Sequence, residues 1–214
     1  MKKSLLNIAL TSLLAASAIA STQASATDIE GLSANVGLVS QYIFRGVVQT
    51  DTASASAGVD YETNGFYVGT WAADVQEGLE VDVYGGYGNE LDNGLGYSVG
   101  FTTYQYTGDF DTSYNEVNLG LSYGIFSLSY NLGEWEVEGA ANQDYDFLSA
   151  TVEHEGFYAT YGSWGDEFDG DYVEVGYSTS VSGFDVGVAV ISNSKELAGT
   201  TSDENLVFSI ATSF

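Results

Sequence analysis

The sequence predicts an all-β fold: a transmembrane, antiparallel, up-and-down β-barrel of about twelve strands. Three observations carry this prediction. Beyond residue 34, apolar and polar residues alternate with a period of two, segment after segment, up to the last residue. Aromatic residues recur on the apolar face where segments meet short turns. The links between segments alternate between short and long, as barrels with one short-turn rim and one loop rim require.

Residues 1–26 read as a targeting segment and not as part of the fold. Lys2 and Lys3 precede an apolar run from Leu5 to Ala20, and Ala24-Ser25-Ala26 supplies small residues for cleavage. That run is too short and too rich in Ala and Ser to span a membrane. The barrel domain is therefore expected over residues 27–214, beginning with Thr27.

The first segment covers residues 34–45. Val36, Leu38, Tyr42 and Phe44 share one face; Asn35, Gly37, Gln41 and Arg45 share the other. Residues 53–62 follow, with Ala55, Ala57, Val59 and Tyr61 opposite Ser54, Ser56, Gly58, Asp60 and Glu62. Thr63-Asn64-Gly65 forms a tight turn, after which Phe66, Val68, Thr70 and Ala72 oppose Tyr67, Gly69 and Trp71. In the fourth segment Leu79, Val81, Val83 and Tyr87 face away from Glu80, Asp82, Tyr84 and Gly86. The rhythm continues through residues 95–106, 114–123, 126–132, 146–153, 157–164, 172–181 and 184–191. In the last ten residues Leu206, Phe208, Ile210, Thr212 and Phe214 oppose Asn205, Ser209, Ala211 and Ser213. Each segment approaches the ~9–11 residues with which a tilted strand crosses a bilayer.

Short links are expected at Thr63-Asn64-Gly65, residues 89–94, Gly124-Ile125, His154-Glu155-Gly156 and Ser182-Gly183. Longer, acidic ones are expected at residues 46–52, 74–78, 107–113, 133–144, 165–171 and 192–203. Tyr61, Phe66, Tyr87, Tyr123, Phe126, Phe157, Phe184 and Phe214 fall beside the short links, forming a girdle at headgroup depth. The opposite face carries Ser, Thr, Asn, Gln, Tyr, Gly and acids, too polar for the packed core of a small soluble barrel. Lipid outside and polar networks inside account for it.

Composition excludes several classes. The chain has 30 acidic residues and four basic ones; two of those four lie in the targeting segment, so the formal charge falls from −26 to about −28 on cleavage. Nucleic acid is no partner for such a chain. Without Cys there are no disulfides and no thiolate metal sites. The absence of Pro suits uninterrupted strands, and the aromatic content argues against acidic disorder.

The terminal strand, closing on Phe214, resembles those of bacterial outer-membrane proteins, whose last strand is recognised by the barrel-assembly machinery. Three further stretches are similar to the TorF family of porin-like proteobacterial proteins. They are residues 34–46 (ANVGLVSQYIFRG) with Gln49-Thr50-Asp51, residues 65–72 (GFYVGTWA) and residues 80–87 (EVDVYGGY). The resemblance is dense to about residue 90 and thinner beyond. It implies an outer-membrane barrel in a Gram-negative bacterium, with outer-membrane lipids and lipopolysaccharide as surroundings, and supplies no catalytic residues.

Few residues suggest chemistry. His154, the single histidine, falls at a predicted turn and reads as a surface residue; an enzyme is not expected, nor a cofactor. Asp166, Asp169 and Asp171, with Gly170, are a weak candidate calcium loop, because the spacing lacks the full ligand alternation and a distant bidentate Glu. Glu134, Glu136 and Glu138 alternate with Trp135 and Val137 and could project from one face of a loop. Arg45 is the base placed among inward acids: Glu80, Asp82, Glu116 and Glu174 are expected to share the lumen with it, and its guanidinium to satisfy several carboxylates together. With Asp60, Glu62, Glu153 and Asp185 also inward, the expected activity is passive diffusion of small solutes or ions with a preference for cations. The alternative is a non-conducting structural or adhesive barrel.

Overall fold

The computed structural model describes residues 29–198 and 203–214; the targeting segment and the start at Thr27 lie outside the described residues. Twelve antiparallel strands close into one barrel. They are β1 (Leu32–Val39), β4 (Ser54–Thr63), β5 (Phe66–Val75), β6 (Gly78–Glu90), β7 (Leu95–Thr107), β8 (Tyr114–Tyr123), β9 (Phe126–Trp135), β10 (Gln143–His154), β11 (Phe157–Asp166), β12 (Gly170–Val181), β13 (Phe184–Asn193) and β14 (Asp203–Ser213). Two short strands, β2 (Ile43–Phe44) and β3 (Val47–Val48), form a separate hairpin, and one helical turn, α1 (Lys195–Ala198), precedes β14. Each wall strand pairs with its sequence neighbours, and β1 closes the ring against β14 with Asn35 opposite Ser213 and Leu38 opposite Ile210.

The alternation read from the sequence is the in–out alternation of this wall. Val59, Val68, Val83, Val99, Val117, Leu128, Val175, Val188 and Phe208 are exposed on the outer surface. Their neighbours Asp60, Glu80, Asp82, Thr102, Glu116, Asn118, Asn131, Glu174 and Asp185 are buried inside. A surface this apolar, wrapped around an interior this polar, inverts the order of a water-soluble protein and fits lipid as the outer solvent.

Local sequence sets the short-turn rim. Asn64-Gly65, Glu155-Gly156 and Ser182-Gly183 take positive φ at both positions, the type I′ geometry whose twist matches paired strands, and Gly124 alone does so before Ile125. Phe66, Tyr123, Phe126 and Phe157, each about 60% exposed, stand outward there with Phe184 and Phe214. Tyr87 packs edge-on against Phe66, ring centroids 4.9 Å apart.

Two expectations are corrected at the other rim. Strands β5 and β6 run on until only Gln76 and Glu77 join them, and β11 and β12 leave only Glu167, Phe168 and Asp169 between them. The longer links expected there are absorbed into strand, because the ladder keeps pairing above the lipid-facing band. The larger correction concerns the first segment. It ends at Val39, and residues 40–53 leave the wall and turn into the lumen. Tyr42 and Ile43 are therefore buried inside, where the alternation had placed Tyr42 and Phe44 outward.

Inside, glycines on one strand make room for tyrosines on a neighbouring strand or the one beyond it. A Cβ at Gly100 would lie 2.3 Å from the Tyr67 hydroxyl oxygen, and one at Gly133 would lie 2.1 Å from the Tyr145 ring. Such pairs fill the interior without bulging the wall.

Candidate functional site: a stopper in the lumen

The inward excursion is a hairpin whose tip is Arg45-Gly46. Both tip residues have positive φ, 49° and 83°, so the turn between β2 and β3 is again of the I′ type. Its base is tied by its own polar groups: the Tyr42 N–H donates to Thr50 Oγ1 (2.9 Å), the Gln49 N–H to the Tyr42 carbonyl (2.8 Å), and Thr50 Oγ1 to the Thr52 carbonyl (2.7 Å).

The tip is held by three parts of the wall. Arg45 Nη1 and Nη2 donate to the two oxygens of Glu116 on β8 at 2.5 and 3.0 Å. Trp164 Nε1 on β11 donates to the Arg45 carbonyl (3.0 Å), and Asn193 Nδ2 on β13 donates to the Gly46 carbonyl (2.6 Å). Behind the tip, Tyr42 donates to Glu80 Oε1 on β6 (2.7 Å) and its ring meets Trp71 on β5 edge-on. The guanidinium also lies over aromatic faces, 4.4 Å from the Phe147 centroid, 4.7 Å from Phe44 and 5.5 Å from Trp164. Arg45 is 2% exposed. The stopper thus reaches across the lumen from β5 and β6 to β8, β11 and β13.

Glu116 is the hub. Beyond its two bonds from Arg45 it accepts Tyr145 Oη (2.9 Å), Tyr104 Oη (3.1 Å) and Asn118 Nδ2 (2.9 Å). Asn118 continues the network to Asn131 Oδ1 (2.9 Å) and receives the Thr102 hydroxyl at its own carbonyl (2.8 Å). A carboxylate facing one guanidinium and three neutral donors is as well satisfied as a buried charge can be.

The expected lumen residues are all inward, but Arg45 does not share itself among them. Among the described residues it forms an ion pair with Glu116 alone. Glu80 is met by Tyr42, Glu174 by Tyr158 Oη at 2.5 Å, and Asp60 by Tyr84 Oη and Asn35 Nδ2. Asp82 is 1% exposed, and its Oδ1 has no hydrogen-bond partner among the described residues. Phenols thus meet Asp60, Glu80, Glu116 and Glu174, and the guanidinium is spent on Glu116.

Asp166, Asp169 and Asp171 do not converge into a metal site. Asp169 Oδ1 accepts the Gly170 N–H (2.8 Å), Asp166 and Asp171 are exposed, and among the described residues no three His, Cys, Asp or Glu are grouped as ligands. Glu134, Glu136 and Glu138 are each exposed, the first at the end of β9 and the others in the loop that follows. His154 ends β10 in the open, with Nε2 3.9 Å from Glu155 Oε1.

Sequence reasoning passed over Trp164, Tyr104, Tyr145 and Asn193. Each falls on the inward parity of its strand, so position was legible and partnership was not. A signal for the stopper was present: Ile43-Phe44 and Val47-Val48, two β-branched or aromatic pairs, flank Arg45-Gly46 as strands flank a two-residue turn.

Between stopper and loop rim lies a cavity of about 230 Å³, lined on one side by Phe44, Val47 and Gln49 and on the others by wall and loop residues.

Residues 23–155 match the model of a family described as a bacterial protein of unknown function, Gcw_chp; the name TorF, suggested by three stretches of sequence, is not the one this model carries. No curated protein matches the chain. Among solved structures, one from a study of in-meso crystallization of membrane proteins aligns over 86% of this chain and 83% of its own length, with TM-score 0.57 and 12% identity. The outer-membrane protein OpdK of Pseudomonas aeruginosa aligns over 88% and 68% with TM-score 0.41 and 12% identity. A mutant Rh. blastica porin aligns over 86% and 74% with TM-score 0.45 and 14% identity. The first of these shares the closed-barrel fold; the other two superpose too loosely to add to it.

Proposed function

The chain belongs to the Gcw_chp family of bacterial proteins, and we propose that it is an outer-membrane, porin-like channel for small solutes or ions, closed at rest by its own first loop. One observation carries this reading: the tip of the stopper is tied to the wall by polar and charge-assisted contacts, Arg45 to Glu116, Trp164 to the Arg45 carbonyl and Asn193 to the Gly46 carbonyl, while Tyr42, Ile43, Phe44 and Val47 pack on apolar and aromatic wall residues beside them. The polar contacts can be exchanged for water when the hairpin swings out, because each donor and acceptor finds another partner there.

The polarity of the lumen supports a preference for cations. Asp60, Glu62, Glu80, Asp82, Glu153, Glu174 and Asp185 face inward, and Arg45, the inward base, is already matched by Glu116. A narrow, poorly screened passage of that sign concentrates cations and repels anions. In this reading the short-turn rim lies at the periplasm, the loop rim at the cell exterior, and no step of catalysis is assigned.

The second reading, a non-conducting structural barrel, is favoured by the burial of Arg45 and of the Glu116 hub. Conductance of the refolded protein in planar bilayers separates the two. Discrete openings, with reversal potentials in a salt gradient that follow the cation, support the channel. Silence across a wide voltage range, in the wild type and in a variant whose stopper is released, overturns it.

A further inference from the structure

We infer that the cavity above the stopper is a binding site for a small organic cation with an apolar body, such as an aromatic or alkyl ammonium compound. The cavity, of about 230 Å³, has the space of roughly eight waters at ~30 Å³ each. That suits a single benzyl-sized ammonium ion and excludes a peptide or a sugar chain.

The lining selects the chemistry. Rings of Phe44, Tyr104, Tyr106, Tyr114, Tyr145 and Trp164 surround the space, and Phe168 closes over it from the loop between β11 and β12, stacked on Tyr145 with centroids 5.0 Å apart and planes 12° from parallel. The hydroxyls of Tyr104 and Tyr145 are engaged with Glu116, and that of Tyr106 with Glu80. Their aromatic surfaces are therefore what remain for a ligand. A phenol that donates to a carboxylate is also polarised so that its ring becomes richer in electrons, which strengthens attraction for a cation over its face.

Charge points the same way. The lining contains two carboxylates, Asp111 and Asp169, and no Lys or Arg. Asp111 accepts from Tyr114 Oη (2.7 Å), Trp135 Nε1 (3.1 Å) and the Thr112 N–H (2.7 Å), all neutral donors that fix the carboxylate in place without cancelling its charge. Lys195, on α1 beside the lining residue Leu197, is directed to Glu196 at 3.3 Å. An anion would meet two fixed negative charges here with no counter-charge; a neutral aromatic would gain contact but no electrostatic attraction. The lumen already contains one cation seated in this manner, the Arg45 guanidinium over Phe147, Phe44 and Trp164.

The site does not depend on conduction, so its test is made without current. The full protein, refolded in detergent micelles and checked for barrel formation by heat-modifiable migration, is titrated by calorimetry with benzyltrimethylammonium, and in parallel with phenylacetate and benzyl alcohol. The expected result is saturable one-to-one binding of the ammonium ion, at least tenfold tighter than either comparison ligand and weakened by added salt. D111N and D169N should each weaken it about three- to tenfold; F168A, in a loop and outside the wall, should weaken it without impairing the barrel. Binding of phenylacetate or benzyl alcohol as tight as that of the ammonium ion, retention of full affinity in D111N/D169N, or no saturable binding up to millimolar ligand each overturns the inference.

Discussion

Replacing Arg45 with Met tests the stopper directly. Met retains much of the apolar stem and removes the charged fork that bonds Glu116 and lies over Phe44 and Phe147. Two charge-assisted hydrogen bonds to Glu116 are lost, at 2.5 and 3.0 Å in the wild type. Breaking a buried ion pair by deleting one partner costs about 3–5 kcal/mol. The lower end applies, since Tyr104, Tyr145 and Asn118 still donate to Glu116. That loss falls on the closed state alone, because in the open state the hairpin is solvated. A shift of about 3 kcal/mol corresponds to roughly a hundredfold change in the ratio of open to closed. Single-channel recording should therefore show R45M open far more often than wild type at equal conductance per opening. Glu116→Gln strands a guanidinium, so its effect should be at least as large, and R45M/E116Q should fall well short of the sum of the two. A barrel of R45M that folds normally and gates like wild type would refute the idea that this hairpin closes the lumen.

Other outcomes follow from the same structure. Lys or Arg at Val83 or Val188, on the lipid face, should destabilise the barrel by about 2–4 kcal/mol in urea unfolding from vesicles, while Ser56→Lys, on the inward face, should cost less. Gly100→Ala should be poorly tolerated despite its inward position, by about 1–3 kcal/mol in the same assay, since its Cβ would collide with the Tyr67 hydroxyl; normal stability would show that the ring moves aside freely. E80Q/D82N should reduce cation over anion selectivity in a salt gradient, and an unchanged reversal potential would remove these two acids from the permeation path.

The wall was legible because lipid enforces a strict rule on one face: Val81, Val83 and Tyr87 cannot be exchanged with Glu80, Asp82 and Tyr84 without placing charge in hydrocarbon. Period two therefore survives in the sequence wherever the chain touches the membrane. The stopper escaped notice for the same reason. The hairpin residues also alternate in sequence, so residues 41–45 continue the rhythm of β1 although they lie inside the barrel, Arg45 at Glu116 and Phe44 against Tyr104 and Trp164. The inward acids were legible by parity, whereas the pairing of Arg45 with Glu116, 71 residues away, depends on how far a loop reaches across a closed ring. Nothing local encodes that distance.

Because β1 leaves the wall at Val39, the cylinder is uneven in height. The β1–β14 ladder runs from Asn35–Ser213 to Val39–Ser209, whereas β6 and β7 pair from Leu79–Thr107 to Glu90–Gly96. At ~3.4 Å per residue these ladders span roughly 17 Å and roughly 41 Å along the strands. Ser40 still meets Phe208, and from Val207 back to Asp203 the strand β14 has no ladder partner on the β1 side among the described residues. The tall flank runs on above the lipid-facing band, so it is the short seam that a bilayer of uniform thickness does not match. Lipid beside the seam is drawn thinner, or the cylinder leans toward its short side, and headgroups and water come nearer to the unpaired edge of β14. The hydrophobic mismatch is thus lateral and confined to one sector of the circumference. That sector is also where the chain departs to fill the lumen.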